Sequence, residues 1–570
     1  MFLFDVFRSF LPLDNAIGFG PADFIELALA AMLVLMALVA RPWIQPYALK
    51  LAERTGWSML LLGLAPVALR LALLAHHPVP SPDVYDEFGH LLMADTLRHF
   101  RLANPPHPLP QFFETFFVLQ APVYSSIYPV GQGLVLALGW TIFGLPWAGV
   151  ALSVAAFCAL CYWMLRAWTT PGWALVGGVL AIFEFGPLSQ WMNSYWGGAF
   201  AATAGCLVFG ALPRLRNGPR TRDAVLLGVG LGMHLLTRPY ESVFLFLGVL
   251  LFFLPVVRQR DELRKLARVA PDVVLVLIPA VAIMLFQNKA VTGSWTTLPE
   301  MLSQYQYGVP AALTVQSNPV PHRPLTREQA LDYKMQLSFH TGPETVRSYL
   351  ERLEYRVRYY RFFFLAPLYL ALAVFLVTVR EFRFVWVVLV LLLFSLGVNF
   401  FPAFQFHYIA AVTCLFVLVS VTGLQQLSRL SIRGSPAGRE AALVIVFLCA
   451  AHFIFWYGLH IFDDAEVSIA MRRYETWDAI NHGNPERRIY VNRQLAQIPG
   501  KLLVFVRYYP QHIFQDEWVY NAADIDGARV VWARDLGPEE DEKLRRYYPD
   551  RAVWLLEPDF RPPRLTVYQP

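Results

Sequence analysis

Charge is scarce in this sequence. Only 16 % of its 570 residues are Asp, Glu, Lys or Arg and 56 % are hydrophobic, where soluble domains carry about a quarter charged residues. That excludes a chain that is a soluble enzyme throughout, and a disordered one. Cysteine is scarce too: Cys158, Cys161, Cys206, Cys414 and Cys449 all fall inside apolar runs, which excludes a disulfide framework. Cys158 and Cys161 read as two small packing residues one helical turn apart. Also missing are the H-E-x-x-H, Walker and G-x-G-x-x-G patterns in a suitable strand–helix context, any internal repeat and any low-complexity tract. Residues 1–22 hold a single arginine, Arg8, and several polar breaks, so no cleavable signal peptide is expected and the segment reads as interfacial.

What the sequence has is a succession of apolar runs near the length of a membrane span. They lie at about 23–40, 57–77, 147–167, 172–188, 197–213, 223–237, 241–257, 271–287, 362–379, 384–400, 408–426 and 441–461. The net charge of +5 sits mostly on arginines in short loops, which points to membrane orientation rather than nucleic-acid binding. One loop holds Arg41, Lys50 and Arg54, another Arg214, Arg216, Arg220 and Arg222, and a third Arg258, Arg260, Arg264, Lys265 and Arg268. Arg380 and Arg383, then Arg429, Arg433 and Arg439, mark two more. Placing all of these in the cytoplasm requires both termini outside and an even number of crossings. Residues 130–145 are apolar enough to cross, but a crossing there puts every later basic loop outside. They are therefore expected as a short helix embedded at the outer face.

The expected fold class is mainly α. A polytopic bundle of about 12 spans covers residues 1–461, with large outer loops at 78–146 and 288–361. Residues 462–570 are more charged and carry strand-like runs at 501–507, 529–534 and 552–557, with helical patterns at about 465–481 and 538–548. That alternation predicts a small periplasmic α/β domain with a three-stranded sheet. Its cluster Trp518, Tyr520, Asn521, Asp524 and Asp526 fits either carbohydrate binding or the edge of the domain core.

The most informative stretch is residues 81–108, SPDVYDEFGHLLMADTLRHFRLANPPHP, directly after an outward-going span. Asp83, Asp86 and Glu87 place three carboxylates at the start of a helix. One reading is helix capping, with Asp83 at the N-cap and Asp86 and Glu87 in the first turn. The other is a general base at the membrane surface that takes a proton from an acceptor hydroxyl.

The pair Asp86-Glu87 in the first large outer loop is followed by Ala94-Asp95-Thr96, and then by Tyr128-Pro129-Val130-Gly131-Gln132-Gly133 before a short apolar helix ending in Phe143-Gly144. This pattern resembles the GT-C membrane glycosyltransferases, in the branch of aminoarabinose transferases and protein O-mannosyltransferases. The similarity covers roughly residues 57–290 and, more loosely, the later spans. The resemblance implies a hexosyl or pentosyl transferase in a bacterial inner membrane, with its site and C-terminus in the periplasm. It implies a polyprenyl-phosphate-linked sugar as donor and a periplasmic glycan, lipid or protein as acceptor. An inverting single displacement follows, with Asp86 as the catalytic base, Glu87 or Asp83 positioning it, and Tyr128 in the conserved-type Tyr-Pro motif lining the site. The leaving phosphate departs as a stable anion, so one base and a few cations suffice.

Arg238, Tyr240 and Glu241 occupy an outer turn, against the basic-inside trend. They fit an interfacial ion pair with a tyrosine anchor, or phosphate binding by Arg238, which the family's basic residue in the matching turn implies. Asn193, Tyr195 and Trp196 fit an aromatic belt or sugar stacking. Relatives often have a second acid in this region. None occurs here nearer than Glu184, a departure that argues against a two-carboxylate or metal-bridged mechanism. His407 and Tyr408 resemble a late Arg/His-Tyr motif near the lipid phosphate, and Glu300, Gln304 and Tyr305 lie in the loop that borders the acceptor entrance in relatives. Adjacent His76 and His77 diverge on a helix end and are not expected to share a metal. The residues call for no cofactor, although a divalent cation is compatible with the acids. A transporter or flippase of lipid-linked glycans is the alternative; it calls for ionisable residues at mid-span and inverted repeats, whereas here the acids cluster outside.

Overall fold

In lipid a backbone can satisfy its polar groups only within itself, so long apolar runs fold as helices. In the computed structural model of the chain the described residues are 21–82, 84–340, 342–462 and 487–569. Most of the interfacial stretch at 1–22, Asp83 and the helical pattern at 465–481 lie outside them. Among the described residues seven helices are long and apolar enough to cross a membrane: Leu27–Glu53, Thr55–Ala75, Pro146–Leu165, Pro239–Arg258, Arg260–Thr292, Phe406–Leu427 and Ala437–Gly458. The chain is a mainly helical, multi-pass membrane protein.

Twelve helices were expected to meet that standard, and the remaining five do not. Pro171–Phe185, Tyr369–Thr378 and Phe382–Val398 are apolar but only 10–17 residues long. Ala199–Asn217 and Thr221–Leu235 are helices that do not reach the apolarity or length of a span. The reason is packing. Ala199, Ala201, Ala202 and Ala204 are all buried against neighbouring helices, and a helix encased in protein needs close-fitting small residues more than it needs lipid-facing ones. The segment expected at the outer face is Val130–Phe143, whose 14 residues reach about 21 Å, short of a ~30 Å hydrocarbon core.

The chain after the last long helix forms a four-stranded sheet rather than the expected three. With β1 (Val118–Leu119) and β2 (Ser125–Ser126) pairing in the first outer loop, the sheet comprises β3 (Leu502–Val506), β4 (Val530–Arg534), β5 (Ala552–Glu557) and β6 (Arg564–Val567) in the order β4-β3-β5-β6. β3 runs parallel to β4 and β5, and β6 adds antiparallel to β5. Side chains alternate between the two faces along a strand. Leu502, Val504 and Val506 meet Val491, Leu495 and Trp518 on one face. On the other, Leu503 and Phe505 join Leu92, Phe112, Phe113 and Tyr124 of the first outer loop.

Polar ties reinforce that contact. The Ala523 N–H donates to Asp95 Oδ2 at 2.8 Å, and Tyr124 donates to the Asn521 carbonyl at 3.1 Å. Thr115 donates to Glu517, and Arg534 on β4 pairs with Glu328 on helix Arg327–Ser338 of the second outer loop. The two outer loops and the sheet thus build one cap over the helices.

Candidate active site

Beneath this cap lies a cavity of about 550 Å³. Its walls come from many separate stretches of chain, six of which bring the ionisable and aromatic groups of interest. Helix Tyr85–Arg98 contributes Asp86 and His90, and the turn before Val130–Phe143 contributes Tyr128. Trp196, Arg238 and Glu241, Glu300, and then His407 and Tyr408 complete it.

The acidic helix is set by its first turn. Val84 is the N-cap, and the Glu87 carboxylate reaches back to the Val84 N–H at 3.3 Å. The other Glu87 oxygen accepts the Tyr195 N–H at 2.8 Å. Glu87 is therefore turned away from the cavity, as a cap and a tether, and a role in positioning the acceptor there does not fit. Asp86, the next residue round the helix, faces the cavity.

Tyr128 is aimed at Asp86 by its surroundings. Its N–H donates to Ser126 Oγ at 3.1 Å and its carbonyl accepts from Gln287 at 2.8 Å. Its hydroxyl donates to Asp86 Oδ1. The neighbouring turn comes close because Gly131 has no side chain: a Cβ there would stand 2.3 Å from Thr237 Oγ1. The Gly131 N–H instead donates to the Leu236 carbonyl at 2.8 Å, which brings Arg238 to the same cavity.

Burial lifts the Asp86 carboxyl from the ordinary Asp range to about 6, opposed by hydrogen bonds from Tyr128 and Trp196 and by the positive charge of Arg238. Asp86 is thus mostly ionised near neutral pH and able to receive a proton. Arg238 stands with Nη1 3.9 Å from Glu241 Oε1 and its guanidinium 4.9 Å from the centre of the Tyr408 ring. That guanidinium makes no side-chain hydrogen bond among the described residues, so its donors point into the cavity unspent. Burial also raises the Glu300 carboxyl, again against the pull of Arg238. His407 packs between Trp196 and Tyr408, with ring centres 5.3 and 4.9 Å away. Tyr240 lines the wall with its ring while its hydroxyl donates to the Gly397 carbonyl at 3.0 Å.

Two expected site residues are elsewhere. Asn193 accepts from Arg70 Nε at 2.7 Å and donates to the Pro187 and Ser189 carbonyls, so it fastens a buried arginine to the outer end of a helix. Tyr195 donates to the Pro80 carbonyl at 2.8 Å and holds Glu87 through its N–H. Neither lines the cavity, because buried polar groups with closer partners are used up by them. Tyr305 stacks on His322 with ring centres 4.1 Å apart, also away from it. His77 packs on His460, while His76 is exposed. Among the described residues no group of three or more His, Cys, Asp or Glu side chains is spaced to hold a metal ion.

No site role was read for His90, Gln132 or Gln515, although all three line the cavity. His90 alone carried a signal, being four residues beyond Asp86 and so on the same helical face.

No protein-family model and no curated protein matches the chain. Solved structures do. ArnT from Cupriavidus metallidurans in the apo state aligns over 89 % of this chain and 93 % of its own, at 12 % identity and a TM-score of 0.50. ArnT of the same organism bound to undecaprenyl phosphate aligns over 88 % and 93 %, at 13 % identity and a TM-score of 0.44. The oligosaccharyltransferase of Archaeoglobus fulgidus in the apo form aligns over 80 % and 62 %, at 13 % identity and a TM-score of 0.38. The likeness to ArnT shows the fold, and it is the fold that the Asp-Glu and Tyr-Pro motifs anticipated. The chain is thus similar in fold to ArnT of Cupriavidus metallidurans over nearly the whole length of both.

Proposed function

We propose that the chain is a glycosyltransferase that moves a sugar from a polyprenyl-phosphate carrier to a periplasmic acceptor by inverting displacement. One observation carries this reading: Asp86 and Arg238 line a single cavity, a base and a cation bordering the same space. The acceptor oxygen forms a bond to the anomeric carbon as the carbon–oxygen bond to phosphate breaks. The acceptor proton passes to Asp86, and the phosphate keeps the bonding electrons and leaves as an anion beside Arg238. Arginine suits that task because its planar fork can give two hydrogen bonds to one phosphate. His407 and Tyr408 complete the wall on the Arg238 side, and Glu300 borders the space open to the acceptor.

Sidedness follows from the run of the helices. Helix Ala199–Asn217 starts at the cavity and ends at Arg214 and Arg216, and Thr221–Leu235 returns from Arg220 and Arg222 to the Arg238 turn. Pro239–Phe253 leads away again to Arg258. The basic loops lie at the far ends of helices that begin or end at the cavity, which supports reading those loops as cytoplasmic and the cavity as periplasmic in a bacterial inner membrane. We read residues 1–461 as the membrane catalytic unit and 462–570 as a periplasmic α/β unit that roofs it.

The test is turnover by the purified protein. Incubated with undecaprenyl-phosphate-linked sugars and, in turn, a periplasmic glycan, lipid and protein fraction as acceptor, it should release undecaprenyl phosphate. Asp86→Asn should slow that release by about 10²–10⁴-fold with an unchanged melting temperature. Full turnover in the variant overturns the base assignment, and no release from any linked sugar overturns the proposed reaction.

A further inference from the structure

One turn beyond Asp86 stands a histidine that the proposed reaction leaves idle. His90 is 5 % exposed, it borders the cavity, and neither of its ring nitrogens has a hydrogen-bond partner among the described residues. Leaving a buried polar group unpaired costs the full loss of its hydration. His234 and His512, also buried, are paired, with Ser242 at 2.7 Å and Asp559 at 2.7 Å, and among the described residues His90 alone has both ring nitrogens buried and unpaired. The unpaired state of His90 therefore calls for a partner that is not protein.

The ring cannot swing away to find one. It stacks on Tyr128 with centres 4.1 Å apart and planes 28° from parallel. Tyr128 lies that close because the intervening residue is Gly89, where a Cβ would stand 2.8 Å from Tyr128 Cε2. One tyrosine thus fixes two residues of the helix, holding Asp86 by its hydroxyl and His90 by its ring.

Charge decides what the ring can bind. Burial and the nearby Arg238 guanidinium push its pKa down to about 3, so the imidazole is neutral at any physiological pH. A neutral imidazole offers one donor and one acceptor. That is a poor match for a phosphate, which needs cations and donors. It is a good match for a hydroxyl, which donates and accepts at once. Residues four apart on a helix have Cβ atoms about 5–6 Å from each other, close to the width of one sugar ring. A hydroxyl held at His90 leaves the same sugar within reach of Asp86.

We infer that His90 is a specificity-determining residue: its ring holds a hydroxyl of the transferred sugar, one helical turn from the base, and selects donors that carry a hydroxyl at that place. The inference rests on the glycosyl-transfer reading above. It predicts that the sugar, and not the lipid phosphate, is what His90 recognises.

The experiment compares binding of bare undecaprenyl phosphate, of the undecaprenyl-phosphate sugar that the wild type turns over, and of analogues of that donor each lacking one hydroxyl. The variants are His90→Phe, which keeps the stack on Tyr128, and His90→Gln, which keeps a donor and an acceptor. His90→Phe should bind the full donor about tenfold more weakly, bind the bare carrier as the wild type does, and be restored in large part by His90→Gln. One deoxy donor should lose about the same tenfold on the wild type and lose nothing further on His90→Phe. If His90→Phe ranks the full and deoxy donors as the wild type does, or loses the bare carrier equally, the inference is overturned while the reaction stands. If the wild type binds no form of the carrier, the transfer reading falls and takes the inference with it. Should His90→Phe fail to fold, the wild-type deoxy series against His90→Gln decides, since Gln moves its polar atoms and should change which hydroxyl matters; an identical ranking in the two overturns the inference.

Discussion

The Tyr128 hydroxyl donates to Oδ1 of Asp86, joining a turn to a helix 42 residues earlier in the chain. The bond favours the ionised carboxylate, whereas burial opposes it and sets the Asp86 pKa at about 6. Transfer should therefore decline below about pH 6 as Asp86 takes up its proton. Tyr128→Phe removes a donor that stabilises the charge, so the acid limb should move up by about one pH unit, with the rate recovering at higher pH. The measurement is kcat/KM against pH for both proteins. An acid limb at the same pH in both shows that another group sets it.

Arg238 approaches Glu241 no closer than 3.9 Å, so its guanidinium is available to an anion. Arg238→Gln should weaken binding of undecaprenyl phosphate by about 10–100-fold, the worth of a charged hydrogen-bonding contact. Arg238→Lys should fall between the two, since it keeps the charge and loses the fork. Wild-type affinity in the glutamine variant assigns the phosphate to other residues.

The Arg534–Glu328 pair ties the sheet to the second outer loop, and its side chains are only 10 % and 6 % exposed. Arg534→Met leaves Glu328 charged and buried without its cation, which should cost about 3–5 kcal/mol. A lower melting temperature in detergent and faster proteolysis of the cap report the loss. Adding Glu328→Gln should recover most of it. A single variant as stable as the wild type shows the pair contributes nothing.

Asp332 is fully buried beside the cavity, accepting from Gln336 at 2.8 Å and Tyr85 at 3.4 Å. Burial, and then the nearby Asp86 charge, raise its pKa to about 7. The folded protein thus keeps a proton there that the unfolded chain has released above about pH 4. Stability from this group is full below about pH 4 and is lost as pH rises to about 7. Asp332→Asn carries no such loss. It should melt higher than the wild type at pH 8 and equally at pH 4; equal melting at both values removes Asp332 as the source.

How far the sequence reveals these features depends on what each one needs. Long apolar runs are readable because lipid imposes them, and the sequence locates every helix of the bundle. It does not tell a helix bathed in lipid from one walled in by protein, which is why Ala199–Asn217 reads as a span although its alanines face other helices. Asp86 and Glu87 are adjacent, and neighbours on a helix point about 100° apart. Only the fold decides which of them meets the cavity. Asn193 reads as a sugar ligand until Arg70, 123 residues away, takes its oxygen. Strand β6 directly follows a proline pair and has four residues, too few to show a period. His90 was in plain view, but its significance is a lack of partners, which a sequence cannot display.

The Ala523–Asp95 hydrogen bond spans 428 residues, and the apolar side of the acidic helix waits on the same late-arriving sheet. At ribosomal speed that interval is on the order of a minute. Through it Leu92, Phe112 and Phe113 have no roof, and a nascent chain holds a greasy, unfinished chamber. A chain cut short before the sheet would keep that apolar surface in contact with water.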